Sequence, residues 1–164
     1  MKERLLGKNL EELKRLVAEE GLPGFTAKQI AQWLYAKKVR TIDEMTNLSK
    51  KFRDALKSEA DYRLPAIERK LVSQIDGTVK YLFRLLDGAC IESVLMRYKH
   101  GNTLCISSQV GCLMGCKFCA STIGGLVRRL SPAELIGQVI AAQADMGERI
   151  DNIVMMGIGE PLDN

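Results

Sequence analysis

Over residues 1–62 the apolar positions recur at helical rather than strand spacing. Leu10, Leu13, Leu16 and Val17 fall on one helical face, and Asn9 followed by Glu12 has the pattern of a capping box at its start. Gly21 and Pro23 are the residues expected to end that helix. Thr26 with Gln29 predicts the start of a second helix, with Ile30, Trp33 and Leu34 inward. Thr41 with Glu44 predicts a short third. Ser49 caps a fourth, which turns Phe52 and Leu56 inward and Lys50, Lys51, Arg53 and Lys57 outward. Residues 1–62 therefore read as a small helical domain. Its basic outer face fits either plain solvation or contact with RNA phosphates.

Near Arg63-Leu64-Pro65 the pattern changes to strands. Residues 68–75, 79–86 and 90–96 are short runs rich in Val, Leu, Ile and Tyr, separated by Asp76-Gly77 and Asp87-Gly88. Asp-Gly between such runs is a hairpin signal, so 63–100 is expected to be an antiparallel β-hairpin extension. A further strand, 103–108, leads into a cysteine-bearing loop. Ser131-Pro132-Ala133-Glu134 then opens a helix, with Leu135, Val139, Ile140 and Ala144 at helical spacing as far as Gly147. Residues 152–156 form an unbroken apolar run of the kind buried in parallel sheets. Strand, helix and strand over 101–164 make a βαβ unit, and the fold class is α/β. The sequence shows no internal repeat.

The composition is that of an ordinary folded, soluble chain: 164 residues, 46% hydrophobic and 27% charged. No stretch approaches the roughly 18–20 apolar residues of a membrane span, so no membrane association is expected. The charged opening MKERLLGKNLEELKR does not resemble a secretory signal. A cytoplasmic protein is the expectation. The net charge of +4 is compatible with nucleic acid without pointing to it. The single histidine, His100, falls in an expected turn and lacks the partners of a triad or a zinc site.

Five cysteines, Cys90, Cys105, Cys112, Cys116 and Cys119, lie close together in the chain. In a reducing compartment an odd number of clustered cysteines points to metal or redox chemistry rather than to disulfides. Cys112, Cys116 and Cys119 have the spacing C-x3-C-x2-C, directly after a strand and before the βαβ helix. A 4Fe–4S cluster normally takes four thiolates. Three on one loop leave an iron open, the arrangement by which radical enzymes chelate S-adenosylmethionine and reductively cleave it. Gly111 and Gly115 would let the loop close on the cluster, and Phe118 would shield it. The competing readings are a zinc site completed by Cys105, Cys90 or His100, and plain buried thiols.

At the end of the second parallel strand lies Met156-Gly-Ile-Gly-Glu-Pro-Leu162. The active sites of barrels collect at that end of the strands. Gly159 would permit close backbone approach, and Glu160 would accept hydrogen bonds from the ammonium of S-adenosylmethionine. A Gly-x-Gly sequence also fits an ordinary turn.

Taken together, Thr103-Leu-Cys-Ile-Ser-Ser-Gln-Val-Gly-Cys112, Cys116, Cys119 and Gly157-Ile-Gly-Glu-Pro-Leu162 resemble the RlmN/Cfr family of radical-SAM RNA methyltransferases, and the RlmN branch more than Cfr. The resemblance covers the whole chain. It implies a helical accessory domain, a hairpin extension and the start of a partial (β/α) radical-SAM barrel, truncated, since family members are about twice this length. It further implies a 4Fe–4S cluster, S-adenosylmethionine, an electron donor such as flavodoxin, and a monomer that methylates carbon 2 of adenine in 23S rRNA and tRNA. In that scheme a cysteine near the family's C-terminus is methylated first, its methyl group is activated by the cofactor radical and added to the adenine, and a second cysteine releases the product as a disulfide forms. Cys105 matches the resolving cysteine and Glu92 the proton acceptor; on their own residues they read as a small buried strand residue and an exposed polar one. Cys90 matches no position of the pattern and reads as packing. The truncated chain is expected to be inactive alone. Methylation at carbon 8 and an RNA-binding module with a structural cluster are the alternatives.

Overall fold

The computed structural model describes residues 3–39 and 41–164, which fall into two compact units meeting between Arg63 and Leu64. In the first unit β1 (Glu3–Arg4) pairs in parallel with β2 (Ala60–Asp61), and between them lie α1 (Leu10–Glu19), α2 (Phe25–Ala31) and α3 (Lys50–Glu59). The α1 start is a capping box: the Asn9 side chain accepts from the Glu12 N–H at 3.0 Å, and the Glu12 carboxylate from the Asn9 N–H at 2.7 Å. Leu13, Val17, Ile30, Leu34, Met45, Phe52 and Leu56 are buried and form the apolar centre of this unit.

Three details differ from the sequence expectation. The second helix starts at Phe25, because the Thr26 N–H already donates to the Pro23 carbonyl at 2.9 Å, so Thr26 is a buried first-turn residue and no cap. Next, α2 continues as a wide π turn over Gln32–Lys37, which swings Trp33 half out of the interior. Its indole N–H donates to Asn47 Oδ1, and Lys37 Nζ sits 3.5 Å from the ring centroid. Third, Arg53 does not point outward with the lysines; its guanidinium donates to the Leu48 carbonyl at 2.7 Å and the Met45 carbonyl at 3.3 Å.

The second unit is built on one five-stranded sheet that joins the meander to the βαβ segment. Its members are β3 (Ala66–Val72), β4 (Val79–Arg84), β5 (Cys90–Tyr98) and β6 (Gly101–Cys105), all antiparallel in sequence order, with a later strand, Asn152–Val154, added parallel to β6. A small hairpin, β7 (Gln109–Gly111) with β8 (Leu126–Arg129), carries the cysteine loop at its tip, followed by α4 (Pro132–Met146) and then that added strand, β9. The sequence pattern missed β7 and β8. Helix α4 begins with a Ser131–Glu134 capping box and ends at Gly147, whose φ of 69° requires the left-handed region.

Alternation along the strands gives the sheet two unlike faces. Tyr81, Phe83, Ile91, Leu95, Leu104 and Ile106 point to one side and are buried with Ala141 and Ala142 of α4. The other side is open. Two strands end sooner than their apolar runs suggest. β3 stops at Val72, where Ser73 and Thr78 close a loop longer than a two-residue hairpin, and β6 stops at Cys105. The expected burial of 152–156 does not occur: Ile153 is 52% and Met156 81% exposed, because β9 has β6 as its only partner among the described residues.

Candidate functional site

The cysteine loop closes at its neck. Gly111 has φ 75°, and a Cβ there would lie 1.9 Å from the Gly125 carbonyl oxygen, so only glycine admits this crossing. That same carbonyl accepts the Cys112 N–H at 3.1 Å. Further along, the Cys119 N–H donates to the Cys116 carbonyl at 3.0 Å, and the Thr122 hydroxyl to the Cys119 carbonyl at 2.9 Å. The three thiols are all free: Cys112 is buried, Cys119 half-buried and Cys116 exposed. Hydrogen bonds from the Ser121 hydroxyl and N–H hold the Cys119 thiol below its ordinary pKa, toward the thiolate form that ligates metal.

Among the described residues no three His, Cys, Asp or Glu side chains converge on one metal ion, the arrangement a zinc site would need. A 4Fe–4S cluster asks for something else, one thiolate at each of several separate irons. Three free thiols on one closed loop fit that demand in donor chemistry and number. Phe118, however, is 94% exposed and shields nothing on this loop; Leu113, Ile123 and Val127 are exposed with it.

The Gly157–Glu160 turn packs directly on the segment that feeds the loop. The Ser108 and Gln109 N–H groups both donate to the Ile158 carbonyl, at 2.8 and 3.1 Å, and the Gly157 N–H donates to the Ile106 carbonyl at 3.1 Å. A Cβ on Gly157 would lie 2.7 Å from the Ile106 oxygen, and one on Gly159 (φ 106°) 2.6 Å from the Gln109 Cβ. Both glycines are thus required by contact with residues 106–109. The Glu160 carboxylate is half-buried and accepts the Leu162 N–H at 3.0 Å.

A buried polar network that the sequence reading did not assign supports this contact. Ser107, Gln109 and Gln138 are each 0% exposed. The Gln138 carboxamide accepts the Ser107 N–H at 2.9 Å and donates to the Ser107 carbonyl at 3.0 Å, taking the place of a strand partner where β6 has ended. It also accepts from the Ser93 hydroxyl at 2.8 Å. The Gln109 side chain accepts the Glu160 N–H at 3.0 Å and donates to Asp163 at 2.8 Å. The one signal in the sequence was three polar residues, Ser107-Ser108-Gln109, inside an otherwise apolar segment.

Cys105 lies on the open face of the sheet, opposite Val94 of β5 and Val154 of β9. Glu92 is two residues from Val94 on β5, so it shares that face, one diagonal step from Cys105. Its carboxylate pairs with Lys80 at 2.8 Å across the β4–β5 register. Cys105 also lines an open cavity of about 540 Å³ with Val94, Met96, Thr103 and Met156. His100 stacks on Tyr98, centroids 5.1 Å apart, at one edge of that cavity. Cys90 is exposed rather than packed inside, at the first position of β5. A second cavity, of about 530 Å³, lies in the N-terminal unit beside Asp43, Lys57, Asp61 and Arg63, whose charges pair with one another.

Residues 4–61 match the family described as the ribosomal RNA large subunit methyltransferase N-terminal domain. A probable dual-specificity RNA methyltransferase RlmN of Alkaliphilus metalliredigens is 56% identical over 160 residues, 98% of this chain and 45% of that protein. The corresponding Clostridium novyi protein is 51% identical over the same length, 47% of its own. Along nearly its whole length this chain is similar to RlmN-type RNA methyltransferases. It spans about half the length of the curated relatives it matches. The crystal structure of a radical SAM methyltransferase from Sphaerobacter thermophilus superimposes with a TM-score of 0.91 at 40% identity, covering 99% of this chain and 48% of that one. The fold described above, a helical unit followed by a sheet with α4 on one face, is thus that of a radical SAM methyltransferase over about half of its length. No helix among the described residues is long and apolar enough to cross a membrane.

Proposed function

We propose that this chain supplies the cluster and cofactor site of an RNA methyltransferase that methylates carbon 2 of adenine in 23S rRNA and tRNA. The observation that carries the reading is the joining of three free thiols on one closed loop to the Gly157–Glu160 turn, through residues 106–109. In barrels the helices pack outside the sheet, and the active site gathers at the C-terminal ends of the strands. Helix α4 covers one face here, which leaves Glu92 and Cys105 on the other.

Cys112, Cys116 and Cys119 would hold a 4Fe–4S cluster, which supplies the electron that breaks a carbon–sulfur bond of S-adenosylmethionine. Glu160 would accept hydrogen bonds from the cofactor's ammonium group, and Gly159 keeps the turn close against residues 108 and 109. A carbon-bound proton must leave the adenine before aromaticity returns, and Glu92, an open-face carboxylate one diagonal step from Cys105, would take it. Cys105 would attack the sulfur through which a cysteine of the longer relatives' remaining sequence holds the adenine-bound carbon; a disulfide forms as that carbon–sulfur bond breaks, and its electron pair and a proton go to the product's new methyl group. The working protein is a cytoplasmic monomer reduced by a donor such as flavodoxin.

The test is mass analysis of nucleosides from 23S rRNA and tRNA after incubation with a protein of the relatives' length that contains this chain, S-adenosylmethionine and reductant. Carbon-2 methyladenosine is the expected product. Carbon-8 methyladenosine, or no methylated adenosine at all, would contradict the reading.

A further inference from the structure

Gln109 opens β7, the strand that ends immediately before the first cysteine of the loop. It is completely buried, a position where a carboxamide is costly unless both of its ends are paired. Both ends are paired, and to one short segment. Oε1 accepts the Glu160 N–H at 3.0 Å, and Nε2 donates to Asp163 Oδ2 at 2.8 Å. The Gln109 backbone N–H reaches the same segment through the Ile158 carbonyl, at 3.1 Å.

The partner strand of the hairpin makes a parallel connection. Arg129 stands opposite Gln109 in the β7–β8 register, and its Nη2 donates to Asp163 Oδ1 at 2.8 Å. Asp163 is therefore gripped by both strands of the hairpin whose tip carries Cys112, Cys116 and Cys119. Close packing seals the join, since Gly159 leaves no room for a Cβ against Gln109.

We propose that Gln109 is a positioning residue for the cofactor: its carboxamide fixes Glu160 and the 158–163 turn relative to the cluster loop, so that one cofactor molecule meets both. The inference rests on the cofactor site proposed above. Chelation of a loop-bound iron and a hydrogen bond to Glu160 are made by neighbouring groups of the same ligand. Productive geometry at such sites is held to within about 0.5 Å by partners that do not touch the ligand themselves. A side chain that belongs to the loop by its backbone and to the turn by its amide meets that requirement.

The experiment uses the 164-residue chain reconstituted anaerobically with iron and sulfide, and compares wild type, Gln109→Glu, Asp163→Asn and the double variant. Iron content, the urea midpoint of the cluster-free chain and S-adenosylmethionine affinity, read from the change in the electron paramagnetic resonance spectrum of the reduced cluster, are measured for each. Gln109→Glu keeps the acceptor for Glu160 but sets a carboxylate against Asp163. It is expected to retain iron and to lose affinity about tenfold or more. Asp163→Asn, at a position not buried, is expected to weaken binding less, with the urea midpoint unchanged. In the double variant the asparagine amide can donate to the new carboxylate, and most of the affinity returns. Wild-type affinity in Gln109→Glu, or no recovery in the double variant, overturns the proposal. So does loss of affinity in strict proportion to loss of stability across the variants, which would make Gln109 a fold staple only. A wild-type chain that takes up no cluster, or whose cluster does not respond to the cofactor, contradicts the underlying cofactor reading instead.

Discussion

The hydroxyl of Ser107 donates to the backbone carbonyl of Glu92 at 2.6 Å. The same oxygen accepts the Ile158 N–H at 2.9 Å, so one side chain joins β5, the segment leading to the cysteine loop and the Gly157–Glu160 turn. Glu92 and the Gly157–Glu160 turn thus share one link through the buried Ser107.

Ser107→Ala removes that link and leaves two backbone groups without their partner in a buried place. The expected cost is about 1–3 kcal/mol, visible as a lower urea midpoint at unchanged slope. Stability equal to wild type would mean that the hydroxyl is dispensable to the join.

Much of this architecture was legible in local sequence. The Asn9–Glu12 and Ser131–Glu134 boxes and the glycine after α4 all act within a few residues, and each appears where its pattern places it. The site's supports were not legible, because they connect distant positions. Ser107 meets Ile158 across 51 residues and Gln138 across 31. Nothing in the pattern of residues 32–37 announced the π turn that moves Trp33 outward, and β7 and β8 are too short to show a period. The apolar run 152–156 foretold a strand but not its exposure, which depends on what lies beside it.

Arg128 gives the chain an acid-sensitive anchor. Its guanidinium pairs bidentately with Glu134, at 2.9 and 3.0 Å, and reaches Asp87 at 2.7 Å. Burial pushes the Glu134 carboxyl up, but the hydrogen bonds from Arg128 and Ser131 outweigh it and hold it below its ordinary 4.5. Hydrogen bonding from Arg128 likewise lowers Asp87. A depressed carboxyl contributes stability that is present above its unfolded pKa and lost as pH falls through the folded value. Arg128→Met is therefore expected to cost about 1–3 kcal/mol near neutral pH. The gap from wild type should narrow as pH drops below 4.5. Urea titrations at neutral and acid pH check this, and a gap independent of pH would contradict it.

Glu160→Ala should weaken S-adenosylmethionine binding by about 1.5–3 kcal/mol, the worth of a hydrogen bond to a charged group, while iron content stays at the wild-type level. Calorimetric titration of the reconstituted chain measures it. Unchanged affinity would make residues 157–160 a structural turn only.

Cys105→Ala is expected to trap RNA on the protein when tested in a chain of the relatives' full length. Release requires a thiolate that can reach the adduct-bearing sulfur, and Cys105 is the open-face cysteine beside Val94 and Val154, whereas Cys90 lies at the far end of β5. A denaturing gel with labelled RNA should show a covalent band that wild type clears. Normal turnover by the variant would remove Cys105 from the reaction.

The most direct test of the account is the iron content of the cysteine variants. Anaerobically reconstituted wild-type chain should bind about four irons with matching sulfide, as one 4Fe–4S cluster. Ala at Cys112, Cys116 or Cys119 should abolish the brown chromophore, whereas Cys90→Ala should leave it intact. Full iron retention in the triple variant, or zinc in place of iron in the wild-type chain, would contradict the assignment of these three thiols to an open cluster.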